Sequence, residues 1–122
     1  MVPTRDFGET VQARARRDPE FREALLNGGV ESLLAGEVRV GRNVIRDCII
    51  GAGGFEKLGA MTGKSPENLT RMFGPDGDPR ASDLFEVIAC LLRHEGLVMQ
   101  VGTVRGELDR DDRGAVQSVA AR

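Results

Sequence analysis

Apolar residues recur at three- and four-residue intervals along most of the chain, and glycine or proline cuts the pattern into short pieces. The first piece, residues 6–17, mixes charge with few apolar positions and reads as a helix. Asp18-Pro19 then supplies a helix cap followed by a proline at the first helical position. Phe21, Leu25, Val30, Leu33 and Leu34 continue at helical spacing, with Gly28-Gly29 expected to interrupt the run. Each glycine costs about 1 kcal/mol against alanine inside a helix.

Gly36 ends that element, and a second amphipathic helix is predicted over residues 37–50, with Val40, Val44, Ile45, Cys48 and Ile49 on its apolar face. "GAGG", residues 51–54, breaks it. Phe55, Leu58 and Met61 open a short helix that Gly63 terminates. Ser65 is placed to cap the next, with Pro66 at its first position, Asn68 at its third, and Leu69, Met72 and Phe73 pointing inward. "GPDGDP", residues 74–79, cannot continue a helix. Ser82 is read as the cap of a last helix that buries Leu84, Val87, Ile88, Leu91 and Leu92 and stops at Gly96. "LVMQVGTV", residues 97–104, reads as a short strand, and the polar remainder as a frayed tail.

This is the pattern of an all-α, compact multi-helix domain with one short C-terminal strand. Three parts are expected: N-terminal helices over 1–53 packing on a core, the core itself over 54–96, and the strand and tail over 97–122. Composition agrees with packed helices. The 122 residues include no Trp or Tyr and only 5 Phe, so Leu, Val, Ile, Ala and Met must build the interior. No apolar run approaches the roughly 20 residues of a membrane span, and "MVPTRDF" lacks the features of a signal peptide. A cytoplasmic protein with no membrane association is expected. The net charge of -2 argues against polyanion binding by the whole surface and leaves room for a local basic face.

Chemistry is scarce. Cys48 and Cys90 each sit in an apolar helical pattern and read as small buried hydrophobes. His94 is the single histidine, so neither a metal cluster nor a nucleophile–histidine pair can be assembled. "IIGAGGFEKLG", residues 49–59, resembles the start of a dinucleotide fingerprint, but Glu56 stands where the third glycine belongs and the preceding residues read as helix. Asp47 and the tail acids Asp109, Asp111 and Asp112 suggest acid–base chemistry or a cation site, but the tail acids lack the glycine and distal glutamate of a calcium loop. No cofactor, metal or enzymatic activity is expected.

What remains is residues 55–73, a helix, a turn centred on Gly63, and a second helix. Such a pair packs at a steep angle and leaves the second helix across the surface, where it can enter a DNA major groove. At about 100° per residue, Leu69, Met72 and Phe73 cluster on one side. Glu67 and Arg71 fall opposite, Asn68 and Thr70 on the flanks, and Lys64 at the start. Arginine can donate bidentately to guanine, asparagine can pair with adenine, and glutamate can accept from cytosine. Ser65 with the first-turn amides suits a phosphate. So does Ser82, with Arg80 beside it. Against this, Lys57, Lys64, Arg71 and Arg80 are offset by Glu56, Glu67, Asp76 and Asp78, as on an ordinary solvated face.

Residues 54–92, "GFEKLGAMTGKSPENLTRMFGPDGDPRASDLFEVIACLL", resemble the helix-turn-helix core of addiction-module antidote-type transcriptional regulators, within the lambda-repressor-like class. The likeness is carried by Gly54-Phe55-Glu56, by Leu58 to Ser65, and by Gly77-Asp78-Pro79. "RDFGETVQARARRDPEFREALL" and "GRNVIRDCI" extend it upstream, so that it covers residues 5 to about 97. It implies a homodimeric, sequence-specific regulator of a double-stranded DNA operator, with a toxin protein as a further partner. Carried over by position, Glu67 and Arg71 would face the groove, with Lys64, Ser65 and Asn68 near the backbone. Gly59 departs from the family's usual alanine, loosening the first helix, and Pro66 replaces a side chain that can read bases in the larger class. The alternative is a protein-interaction module, an antitoxin or adaptor, on the same scaffold without DNA binding; the acidic pI of about 5.5 favours it.

Overall fold

The computed structural model describes residues 9–106, and these form six helices with no strand among them. They are α1 (Val11–Arg17), α2 (Pro19–Leu34), α3 (Val38–Gly51), α4 (Gly54–Thr62), α5 (Pro66–Met72) and α6 (Ala81–Glu95). The protein is all-α, as the periodicity predicts. Thr10 caps α1 by accepting the Ala13 amide at 2.9 Å, so the helix begins at Val11; residues 6–8 of the predicted element lie outside the described residues. Asp18 accepts from the amides of Glu20 and Phe21, and Pro19 follows at the first position of α2, as read.

Gly28 and Gly29 do not interrupt α2, which runs unbroken to Leu34. The reason is a helix crossing. A Cβ on Gly29 would stand 2.7 Å from Ile45 Cδ1, and one on Gly41 of α3 would stand 2.8 Å from the Gly29 carbonyl oxygen. The two backbones therefore touch where only hydrogen atoms fit. The cost in helix propensity is offset by the close packing it permits. α1 meets α3 in the same way, with Gly51 against the buried Ala15.

One hydrophobic cluster draws on every helix from α2 to α6, through Leu26, Ile45, Cys48, Ile49, Leu58, Leu69, Phe73, Val87, Ile88 and Leu91. The predicted segments 1–53 and 54–96 thus share an interior. Arg22 of α2 strengthens the tie, reaching Glu95 at the end of α6 at 2.6 Å and the Ala15 carbonyl at 2.8 Å. The sequence pattern errs at particular residues. Leu26, absent from the predicted apolar face of α2, is fully buried, while Leu34 (69% exposed) and Val40 (49%) lie outside. Met61 is exposed as well.

Two predicted features are corrected. Residues 97–104 are not a strand. Leu97 closes the C-terminal turn of α6 by donating its amide to the Leu92 carbonyl, and Val98, Val101 and Val104 are 80–94% exposed. A strand needs a neighbour for its backbone groups, and no other strand lies among the described residues. Ser82 is not a cap either. The Leu84 amide bonds the Arg80 carbonyl at 2.9 Å, which makes Arg80 the cap residue and leaves Ser82 exposed inside the first turn.

Candidate functional site

A three-residue turn aims α5. Gly63 takes φ 77°, a left-handed conformation suited to glycine, and closes α4 through its amide to the Gly59 carbonyl. Gly59 does more than loosen α4. A Cβ there would come 2.8 Å from the Lys64 carbonyl oxygen and 3.0 Å from Pro66 Cγ, so its absence lets the turn fold tightly onto the helix. Ser65 Oγ then accepts the Asn68 amide at 3.2 Å, with Pro66 beginning α5. Seven residues cannot hold a helix in water. Leu69 and Phe73, both buried, pin it to the core, each by about 1.5–3 kcal/mol. Phe73 packs on Phe55 of α4 with ring centres 6.2 Å apart.

With the inner face fixed, Glu67, Asn68, Thr70 and Arg71 are all exposed. Arg71 Nη2 donates to Asn68 Oδ1, one turn back on the helix. No carboxylate pairs with Arg71 among the described residues, so its charge is available while its geometry is restrained. Thr70 donates its hydroxyl proton to the Pro66 carbonyl at 2.7 Å. Ser65 donates to Glu67 Oε1 at 2.9 Å, and this bond, with Glu67's own amide, holds the Glu67 carboxyl below its ordinary range. The amides and hydroxyl expected to receive a phosphate are therefore engaged within the first turn of α5.

Lys64 differs most from expectation. Its Nζ lies 2.9 Å from Asp83 Oδ1 and 3.1 Å from Glu86 Oε1, both on α6. Hydrogen bonds to Asp83 and then Glu86 raise its pKa above the ordinary value. The ammonium ties the turn to α6 and is locally neutralised.

A concavity of about 520 Å³ collects Lys64, Ser65, Asn68, Arg71, Arg80 and Asp83 on one side of α5. A second, of about 480 Å³, holds Glu67 and Thr70 with Phe55, Glu56 and Pro66, and Arg71 borders both. Six of the other seven residues singled out by sequence thus gather around Arg71. Ser82 lines neither.

A third concavity, about 420 Å³, was not anticipated from sequence: Arg39, Arg42, Asn43 and Arg46 of α3 face Phe73, Gly74 and Pro75 just beyond α5. Its signal was present in "VRVGRNVIRD", where these four polar residues repeat at three- and four-residue spacing along one flank of the apolar face, Arg42 lying next to Ile45 and Ile49. No family model, curated protein or solved structure matches this chain.

Proposed function

We propose that the chain is a sequence-specific DNA-binding transcriptional regulator that reads double-stranded DNA with the outer face of α5. In this reading α4, the turn and α5 act as a helix-turn-helix of the addiction-module antidote type. The observation that carries it is Arg71, an exposed arginine with no carboxylate partner among the described residues, oriented by Asn68 on a helix whose opposite face is anchored in the core. A guanidinium held in this way is suited to the paired acceptors of guanine. One seven-residue helix offers little surface, so a homodimer spanning half-sites about 34 Å apart is part of the reading. A cytoplasmic location and a toxin protein as second partner follow from the resemblance of residues 54–92 to the antidote-type regulators.

A second reading has its own observation. Lys64 is neutralised by Asp83 and Glu86, which removes one phosphate contact and suits an interaction module that binds protein alone. An amide NMR titration of the full chain with a random-sequence 20-base-pair duplex at low salt separates the two. DNA reading predicts shifts concentrated over residues 63–71 and 80–83. Shifts absent from that region, in a folded protein, favour the interaction module.

A further inference from the structure

The arginine groove on α3 plays no part in the contacts assigned to α5. Arg39, Arg42 and Arg46 lie along one side of the helix, with Asn43 among them. None of the three arginines has a carboxylate within ion-pair distance among the described residues. That contrasts with Arg17 and Arg22, which are paired with Glu9 and Glu95.

Arg42 is the unusual member. It is only 8% exposed, donates through Nη1 to the Gly77 carbonyl, and leaves its buried Nε without a hydrogen-bond partner among the described residues. A cationic donor buried without a partner is unfavourable in an isolated protein, and an anion entering the groove would satisfy it. Arg39 and Arg46 supply further forked donors at its rim, the arrangement that suits a phosphate oxygen pair.

Position selects the source of that phosphate. The groove opens onto Gly74 and Pro75, immediately after the C-terminal end of α5. A seven-residue helix is roughly 10 Å long and the DNA major groove roughly 12 Å wide. A helix seated there has both ends close to a phosphate strand. We propose that the groove between α3 and the α5–α6 loop binds one phosphate group, and that this phosphate belongs to the DNA strand bordering α5. The second half rests on the DNA-reading role proposed for α5; the first half does not.

The test uses the full chain, and a double variant Arg39→Gln, Arg46→Gln that spares the loop-bound Arg42. Inorganic phosphate is titrated while the Arg42 Nε–H signal and the amides of residues 74 and 77 are followed by NMR. These are expected to move together and saturate, and to respond weakly in the variant. The random-sequence duplex is then titrated in the same way, and its affinity is measured against salt. The duplex is expected to move the same signals, and the variant to lose roughly 0.9 from the slope of log affinity against log salt. That loss corresponds to about eightfold weaker binding at 0.1 M salt. Phosphate binding without duplex perturbation of the groove would overturn the DNA strand as the source and identify a free anion. Signals at Arg42 unmoved by either probe, in a folded protein, would overturn the site itself. Movement of the groove signals by duplex with residues 64–71 silent would keep the groove and refute the reading role of α5.

Discussion

Lys64 offers a quantitative test of the proposal that the surface around α5 meets DNA. Its ammonium is held by two carboxylates on α6, at 2.9 and 3.1 Å, so the local triad carries a net charge of -1. Asp83→Asn combined with Glu86→Gln removes two negative charges and releases Lys64 beside the concavity it shares with Arg71 and Arg80. The fold should survive, because losing Asp83 from the first turn of α6 costs only about 0.3–1 kcal/mol and Glu86, further along the helix, is half exposed. If the freed ammonium neutralises one phosphate, the slope of log affinity against log salt steepens by roughly 0.9, which amounts to about eightfold tighter binding at 0.1 M salt. Removing two repelling acids acts in the same direction. Fluorescence anisotropy with a labelled duplex, at several salt concentrations between 0.05 and about 0.4 M, measures both quantities. The gain should shrink as salt rises. Equal slopes for wild type and variant, or weaker binding by the variant, would refute the placement of this turn against DNA.

Three further outcomes follow from the fold. Gly28→Ala should stabilise by about 0.5–1 kcal/mol, since nothing lies within 4 Å of its added Cβ, whereas Gly41→Ala should destabilise by about 1–3 kcal/mol through contact with Leu33 and the Gly29 carbonyl; urea unfolding of both variants checks the helix crossing. Phe73→Ala empties the space under α5 and should cost about 3–5 kcal/mol, with the loss of Phe55 stacking, read as a fall in the chemical-denaturation midpoint. Burial pushes the Cys48 thiol up to about 12 from an ordinary value near 9. The folded state then holds this proton more tightly than the unfolded state, so the stability it contributes is complete below about pH 9 and is lost between there and about 12. Denaturant melts across that range should show the decline, and a Cys48→Ala variant should show less of it.

Much of the fold could be read from residues that act locally. Asp18-Pro19, Ser65-Pro66, Gly63 and Gly96 set helix ends through their own backbones and side chains, and each does so where expected. The failures concern partners distant in sequence. Gly28-Gly29 looks like a break until Gly41 is seen opposite Gly29, a relation that local propensity cannot contain. The apolar alternation in residues 97–104 suggests a strand, yet a strand depends on a neighbour that no local pattern supplies. Leu34 and Val40 keep helical spacing but flank the turn between α2 and α3, where no third element among the described residues covers them.

The candidate site divides along the same line. The outward placement of Glu67, Asn68, Thr70 and Arg71 follows from helical geometry once Leu69 and Phe73 are assigned to the core. What each polar group bonds to does not follow. Asp83 and Glu86 reach Lys64 from 19 and more residues away, and Glu67 engages the Ser65 hydroxyl expected to meet a phosphate. The arginine row on α3 was visible as spacing, but its groove exists only because the loop after α5 folds against it, with Gly77 accepting from Arg42.

The central claim is that α5 reads DNA sequence. It is tested most directly by selecting binders of the purified protein from a pool of random duplexes at near-physiological salt. The account predicts recovery of a palindromic motif with half-sites about one helical turn apart, and a broadened base preference when Arg71→Ala is carried through the same selection. Recovery of no motif, with helical content confirmed by circular dichroism, would contradict it.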